Sequence, residues 1–309
     1  MVYLPSKLVQ GQVLINKRKD AVIMPAKLLE GKSVALKIKE NIKAEIETLK
    51  SKYGSGPKLV SVQAGENAAS EVYLKSQEKN AKELGIEYEL KKLDANIKQD
   101  EFIKVMESLN KDKSVHGIIV QMPLPQHIDA KLISRYISPL KDIEAVHPEN
   151  MGEIVFGTAK ILPCTAAACM ELLNSVPSFE LYGKEAVIVG HSEIVGKPLA
   201  LLLLNKFVTV TVCHIATGQR GTLPEFVKKA EILIVAVGKA GIIKGGWIKE
   251  GAIVIDVGIN RVEGKIVGDV EFDKAVEKAS YITPVPGGVG PLTVAILMRN
   301  AVEAFKQQI

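Results

Sequence analysis

Two rhythms of apolar and polar residues alternate along this chain. Over 33–52, Val34, Ile38, Ile42, Ile46 and Leu49 recur at helical spacing and predict a long amphipathic helix. Short apolar runs at 59–64, 86–90 and 117–121 read as strands, with helical stretches at 68–84 and 99–110 between them. This alternation predicts βαβ units and a parallel sheet. The pattern restarts beyond residue 160. Strands are expected at 186–190, 208–213, 232–237 and 253–257, with helices at 194–205 and ending at 226–230. Two α/β domains follow, divided near residue 162.

Composition narrows the class. The chain has 309 residues, and 40 Lys and Arg against 35 Asp and Glu leave a formal charge of only +5. No basic tract suggests a nucleic-acid surface. Hydrophobic residues at 47% and charged residues at 24% are ordinary globular usage. The longest apolar runs, at 199–204 and 232–237, fall far short of the ~20 residues a bilayer span needs. Cys164, Cys169 and Cys213 form no disulfide framework, and the five scattered histidines offer no metal-ligand spacing, so no metal is expected. Residues 1–23 carry Lys7, Lys17, Arg18 and Lys19 against Asp20 and lack the apolar core of a signal peptide. They are expected to be an appended segment or the product of a start called too early, with the folded chain beginning at Met24 and the protein expected in the cytoplasm.

Four stretches carry candidate chemistry. The strand at 117–121 ends in Gln121 and runs into Met122-Pro123-Leu124-Pro125, whose prolines stop it. A polar residue there sits where open α/β sheets bind ligands. The segment from Val187 through Gly190-His191-Ser192-Glu193-Ile194-Val195-Gly196-Lys197-Pro198 reads as strand, glycine turn and helix start. Such a turn lets backbone N–H groups meet a pyrophosphate, although its spacing departs from GxGxxG and a plain βα turn would look similar. Thr283-Pro284-Val285-Pro286-Gly287-Gly288-Val289-Gly290-Pro291 joins rigid prolines to permissive glycines ahead of a helix. Ser70, Tyr73 and Gln77 share one helix face.

Together with Pro163-Cys164-Thr165, these strings resemble the methylenetetrahydrofolate dehydrogenase/cyclohydrolase (FolD) family from about Leu28 to the C-terminus. The resemblance implies a folate-binding α/β catalytic domain at 24–162, completed by a returning C-terminal helix at 288–309. It implies a Rossmann-type, parallel-sheet NAD(P)-binding domain at 163–287, and a homodimer. Hydride would pass from 5,10-methylenetetrahydrofolate to the nicotinamide, giving 5,10-methenyltetrahydrofolate, which the cyclohydrolase activity then opens with water. Folate would meet Ser70, Tyr73, Gln121, Pro123, Leu124, Glu144, Pro286, Gly287, Gly288 and Thr293. The dinucleotide would meet Thr165, Gly190, His191, Ser192, Ile194, Val195, Gly196, Pro198, His214, Ile215, Val237, Gly238, Gly258 and Pro286. Cys164 is read as packing.

Three departures from the family pattern stand out. Gln77 occupies the position of the cyclohydrolase lysine, so that activity is expected to be lost or weak. Lys75 and Lys79 lie about 200° around the helix and do not replace it. Lys141-Asp142-Ile143-Glu144-Ala145 replaces KDVDG, so the pterin-holding carboxylate gains a methylene. His191 and Ile215 replace the arginine and serine that hold the 2′-phosphate, which favours NAD while leaving NADP possible. The alternatives are a fully bifunctional enzyme and a non-catalytic folate-binding relative.

Overall fold

The computed structural model describes residues 25–66 and 68–309, without the side chains of 68–70. The expectation for residues 1–23 lies outside the described residues. In chain order, β1 (Lys27–Leu28) leads into α1 (Gly31–Tyr53), β2 (Lys58–Ala64), α2 (Ala68–Leu84), β3 (Glu87–Leu93), α3 (Gln99–Lys111) and β4 (Gly117–Val120). Strands β3-β2-β4 form one parallel sheet. Strand β4 is buried throughout because helices cover both faces of a parallel sheet. A bridge from Ile118 to Asp142 extends this sheet and brings the neighbouring Glu144 toward the end of β4. Two short helices follow, α4 (Ala130–Arg135) and α5 (Pro148–Phe156).

The second half opens with α6 (Cys164–Asn174), then β5 (Glu185–Val189), α7 (Gly196–Leu204), β6 (Thr209–Cys213), α8 (Ile215–Gln219), α9 (Leu223–Val227), β7 (Ile232–Val235) and β8 (Ile253–Asp256). A hairpin of β9 (Asn260–Val262) and β10 (Lys265–Val267) turns through Glu263 and Gly264, both with positive φ, as a two-residue turn requires. Then come α10 (Phe272–Ala275), β11 (Tyr281–Ile282) and the long α11 (Val289–Gln307). The large sheet runs β1-β11-β8-β7-β5-β6, all parallel. Its order reverses between β5 and β7, so the turn after β5 sits at the topological switch point where doubly wound sheets bind ligands.

One boundary differs from expectation. Lys27–Leu28, expected within the first domain, pairs instead with β11 at the edge of the second sheet. The Lys27 N–H reaches the Ser280 carbonyl at 2.9 Å and the Leu29 N–H reaches that of Ile282 at 2.8 Å. The helix over 164–174 gave little sequence signal, because buried alanines and cysteines fill nearly every face and erase the amphipathic period.

Helix α11 returns to the first half and packs between α1 and α6. Its buried Asn300 donates through Nδ2 to the carbonyls of Ile143 and Leu162, both at 2.8 Å. One side chain thereby ties the Glu144 segment to the domain junction. Among the described residues, no helix is long and apolar enough to cross a membrane.

Candidate active site

A cavity of about 580 Å³ opens between the two halves. Tyr73 from α2, Gln121 after β4, Glu144, Thr165 in the first turn of α6, Ile194 after β5 and Thr293 on α11 all line it. These six expected residues therefore converge from both halves. The peptide bonds Met122–Pro123 and Val285–Pro286 are cis.

The wall at Tyr73 is backed by an amide network. The Gln121 backbone N–H donates to the Val62 carbonyl at 2.8 Å, continuing the strand register past β4. Its side-chain Nε2 donates to Ser61 Oγ at 2.7 Å and to Gln77 Oε1 at 3.1 Å. The Tyr88 hydroxyl also donates to Gln77 Oε1, at 3.3 Å. Gln77 is fully buried behind the cavity wall, and its Nε2 has no hydrogen-bond partner within the distance and angle limits of a bond among the described residues. Its amide lies beside the Tyr73 hydroxyl and works toward lowering that pKa, but burial dominates and, with the charges of Glu144 and Cys164, holds Tyr73 well above the usual tyrosine range. Tyr73 is therefore neutral, a donor and stacking surface. Lys75 points away and pairs with Glu71 at 3.7 Å.

Glu144 opens onto the cavity. Desolvation, reinforced by nearby Asp142, raises its pKa to about 8. Asp142 itself is buried and accepts from the His147 N–H at 2.7 Å and from Asn150 Nδ2 at 2.9 Å, which fixes the Glu144 segment. Cys164 donates to the Ile143 carbonyl at 3.7 Å, and burial pushes its thiol pKa far up. Its thiol is therefore held protonated where it lines the cavity.

The turn after β5 shows why two glycines are needed. Gly190 has φ +123°, and a Cβ there would overlap the Ala236 carbonyl oxygen. A Cβ on Gly196 would overlap the Gly190 carbonyl oxygen. The chain thus doubles back tightly between β5 and α7, and the Lys197 N–H donates to the Ser192 carbonyl at 3.0 Å, a close glycine turn of the kind that brings backbone up to a dinucleotide pyrophosphate. Ser192 Oγ accepts from the Val195 N–H at 3.2 Å, and Val195, Gly196 and Pro198 are buried within the turn. His191 and His214 are exposed with ring centroids 5.4 Å apart, and Ile215 is exposed beside them.

The remaining expected residues lie outside the cavity wall. Pro123 and Leu124 flank Gln121, while Val237 and Gly238 follow β7 in the open and Gly258 is buried after β8. Pro286, Gly287 and Gly288 precede α11, where the Gly31 N–H donates to the Gly287 carbonyl at 3.0 Å. The side chain of Ser70 lies outside the described residues. Sequence reasoning missed Lys131 and Ser134 on α4, and Glu193, all in the cavity wall. Lys131 Nζ meets Glu193 Oε1 at 3.3 Å, joining the two halves. Asp129, which caps α4 by accepting from the Lys131 and Leu132 N–H groups, was the available signal.

Residues 29–144 match the tetrahydrofolate dehydrogenase/cyclohydrolase catalytic domain, and residues 163–309 match the NAD(P)-binding domain of the same family. The bifunctional protein FolD of Acetivibrio thermocellus is 50% identical over 286 residues, 92% of this chain and 99% of that protein. The crystal structure of FolD methylenetetrahydrofolate dehydrogenase/cyclohydrolase from Campylobacter jejuni superposes with a TM-score of 0.88 at 46% identity, covering 92% of this chain and all of that one. The Trypanosoma brucei FolD structure, complexed with NADP cofactor and an inhibitor, gives 0.87 at 38% identity, over 92% and 98% of the two chains. This chain belongs to the tetrahydrofolate dehydrogenase/cyclohydrolase family.

Proposed function

We propose that this chain oxidises 5,10-methylenetetrahydrofolate to 5,10-methenyltetrahydrofolate, prefers NAD to NADP, and has lost most or all of the cyclohydrolase step. The observation that carries this reading is Gln77, buried at the position of the family's proton-handling lysine and engaged by Gln121 and Tyr88. The bound nicotinamide supplies the hydride acceptor. The protein's own task is positioning, because the folate nitrogens drive hydride loss and no strong base is needed. Tyr73 orients the folate from one wall, while the Gln121 amide is steadied by Ser61 and Gln77 near the reacting carbon. Glu144 accepts from the pterin N–H groups, and the turn from Gly190 to Gly196 receives the phosphates.

Ring opening asks for more. Water must lose a proton and a folate nitrogen must gain one, which a desolvated lysine amine can mediate and a glutamine amide cannot. His191, His214 and Ile215 bring no fixed positive charge to the edge where a 2′-phosphate would lie, which supports NAD. The folate-binding unit is taken as 24–162 with 288–309 and the NAD(P)-binding unit as 163–287, with β1 lent to the second sheet. A cytoplasmic homodimer, to be checked by light scattering, completes the reading. A second reading, the bifunctional enzyme, is supported by relatives at 45–50% identity that are named bifunctional. A paired assay separates the two. Dehydrogenase activity with NAD above NADP, and methenyltetrahydrofolate hydrolysis near the uncatalysed rate, is the expected outcome; rapid hydrolysis establishes the second reading.

Glu144 adds a pH dependence. With a pKa of about 8 in the free protein, its neutral form prevails at pH 7 and only the ionised form offers two acceptor oxygens to the pterin. The KM for folate should therefore fall severalfold from about pH 7 to 9. Glu144→Gln should remove that slope, and an unchanged slope in the variant would assign it to another group.

A further inference from the structure

Three loops at the carboxyl ends of β7, β8 and β11 are joined through two buried carboxylates. Asp269 is fully buried, and its Oδ2 accepts from the Val237 N–H at 2.7 Å and the Gly238 N–H at 2.8 Å. Its Oδ1 accepts from the Lys239 N–H and from Asn260 Nδ2, both at 2.8 Å. Asp256, the last residue of β8, accepts at Oδ1 from the Gly258 N–H at 2.9 Å and the Asp269 N–H at 3.0 Å. Its Oδ2 accepts from the Val270 N–H at 2.8 Å. The Asp256 N–H in turn donates to Thr283 Oγ1 at 2.7 Å, and that hydroxyl lies 3.3 Å from the Asp256 carbonyl it donates to. One continuous chain of bonds thus runs from the loop after β7, through the loop after β8, to the head of the proline-glycine string.

The surrounding sequence is shaped to admit these carboxylates. A Cβ on Gly258 would overlap the Asp269 carboxylate, and one on Gly268 would overlap that of Asp256. Two side chains are thus absent where two acids are buried. Burying acids is costly unless N–H groups replace the lost water. Here the N–H groups belong to the loops that must present backbone to a flat ligand.

We propose that Asp256 and Asp269 are positioning residues for dinucleotide binding: they hold 237–239, Gly258 and, through Thr283, the start of the proline-glycine string in the shape that receives the nicotinamide half. This rests on the dinucleotide reading given above. Neither acid needs to touch the ligand; each fixes donors that otherwise point in several directions, and preorganisation of this kind appears in affinity. Burial and the facing charge of Asp269 raise the Asp256 pKa to about 6, against the N–H groups that lower it. Protonation below that value removes acceptor capacity, so dinucleotide binding should weaken as pH falls through about 6.

Asp256→Asn and Asp269→Asn test this. Each keeps the side-chain shape but turns one acceptor oxygen into an amide donor facing an N–H group. We expect the Kd and KM for NAD to rise about tenfold or more in each variant. The kcat should stay within about threefold, and the KM for folate should rise less than that for NAD. The low-pH weakening of NAD binding should be present in wild type and absent from Asp256→Asn. Because a buried-acid variant can fail to fold, Asn260→Ala serves as the second variant. It removes one bond to Asp269 from the hairpin side and should raise the Kd for NAD about threefold with melting close to wild type. Folded variants that bind NAD as wild type does overturn the proposal, as does a kcat loss without a KM change. Wild-type protein that binds neither NAD nor NADP overturns the dinucleotide reading itself and this proposal with it.

Discussion

Replacing Gln77 by lysine should raise methenyltetrahydrofolate hydrolysis by about 100-fold or more, the usual yield of a positioned acid–base group. The position is already prepared. Residue 77 is fully buried, lies beside the neutral Tyr73 hydroxyl, and is within reach of Gln121 Nε2 and the Tyr88 hydroxyl. Desolvation lowers a lysine's pKa toward neutrality, which makes it fit to exchange protons there. The Gln77 amide lies beside the Tyr73 hydroxyl but performs no proton transfer. Dehydrogenase activity should change far less, because Ser61 still accepts from the Gln121 amide at 2.7 Å when Gln77 is replaced. The measurement is hydrolysis of the methenyl compound at constant pH in wild type and Gln77→Lys. A variant no faster than wild type would mean that the ring-opening step was lost at further residues, or was never limited at this one.

Gly190→Ala should cut kcat/KM for the dinucleotide by about 100-fold while leaving folate binding intact. The backbone there has φ +123°, and the added carbon would overlap the Ala236 carbonyl oxygen. Strain at a positive φ costs about 1–3 kcal/mol, and overpacking costs a similar amount. Their sum of roughly 3 kcal/mol is about two orders of magnitude in affinity. The distortion falls where β5 ends and where the sheet order reverses, so the phosphate cradle takes most of it. Calorimetric titration with NAD, alongside titration with a folate analogue, checks both halves of the expectation. Unchanged NAD affinity in a folded Gly190→Ala protein would move the phosphate site elsewhere.

The elements legible in the sequence were those with a strong local period. Helices α1, α2 and α3 and strands β2, β4, β5, β7 and β8 all match the expected runs to within a few residues, because spacing alone specifies a buried face. Helix α6 escaped, since burial on nearly all sides leaves no polar stripe to mark it. Helix α4 escaped because six residues carry too short a period, and with it went Lys131 and Ser134. The two-residue strand β1 was beyond any local signal, for it exists only through its pairing with β11, some 250 residues away.

By itself the sequence determined the alternation of strands and helices, the glycine turn at 190–196, the proline-glycine string and the family with its three departures. These are properties of neighbouring residues: side-chain period, permitted φ and the identity of the residue at a motif position. Only the tertiary structure decided what the substitutions meet. It buried Gln77 under Tyr88 and Gln121, opened Glu144 onto a cavity beside Asp142, and brought Asp256 and Asp269 together beneath the loops after β7 and β8. Desolvation and hydrogen-bond partnership depend on atoms distant in the chain, so no local pattern encodes them.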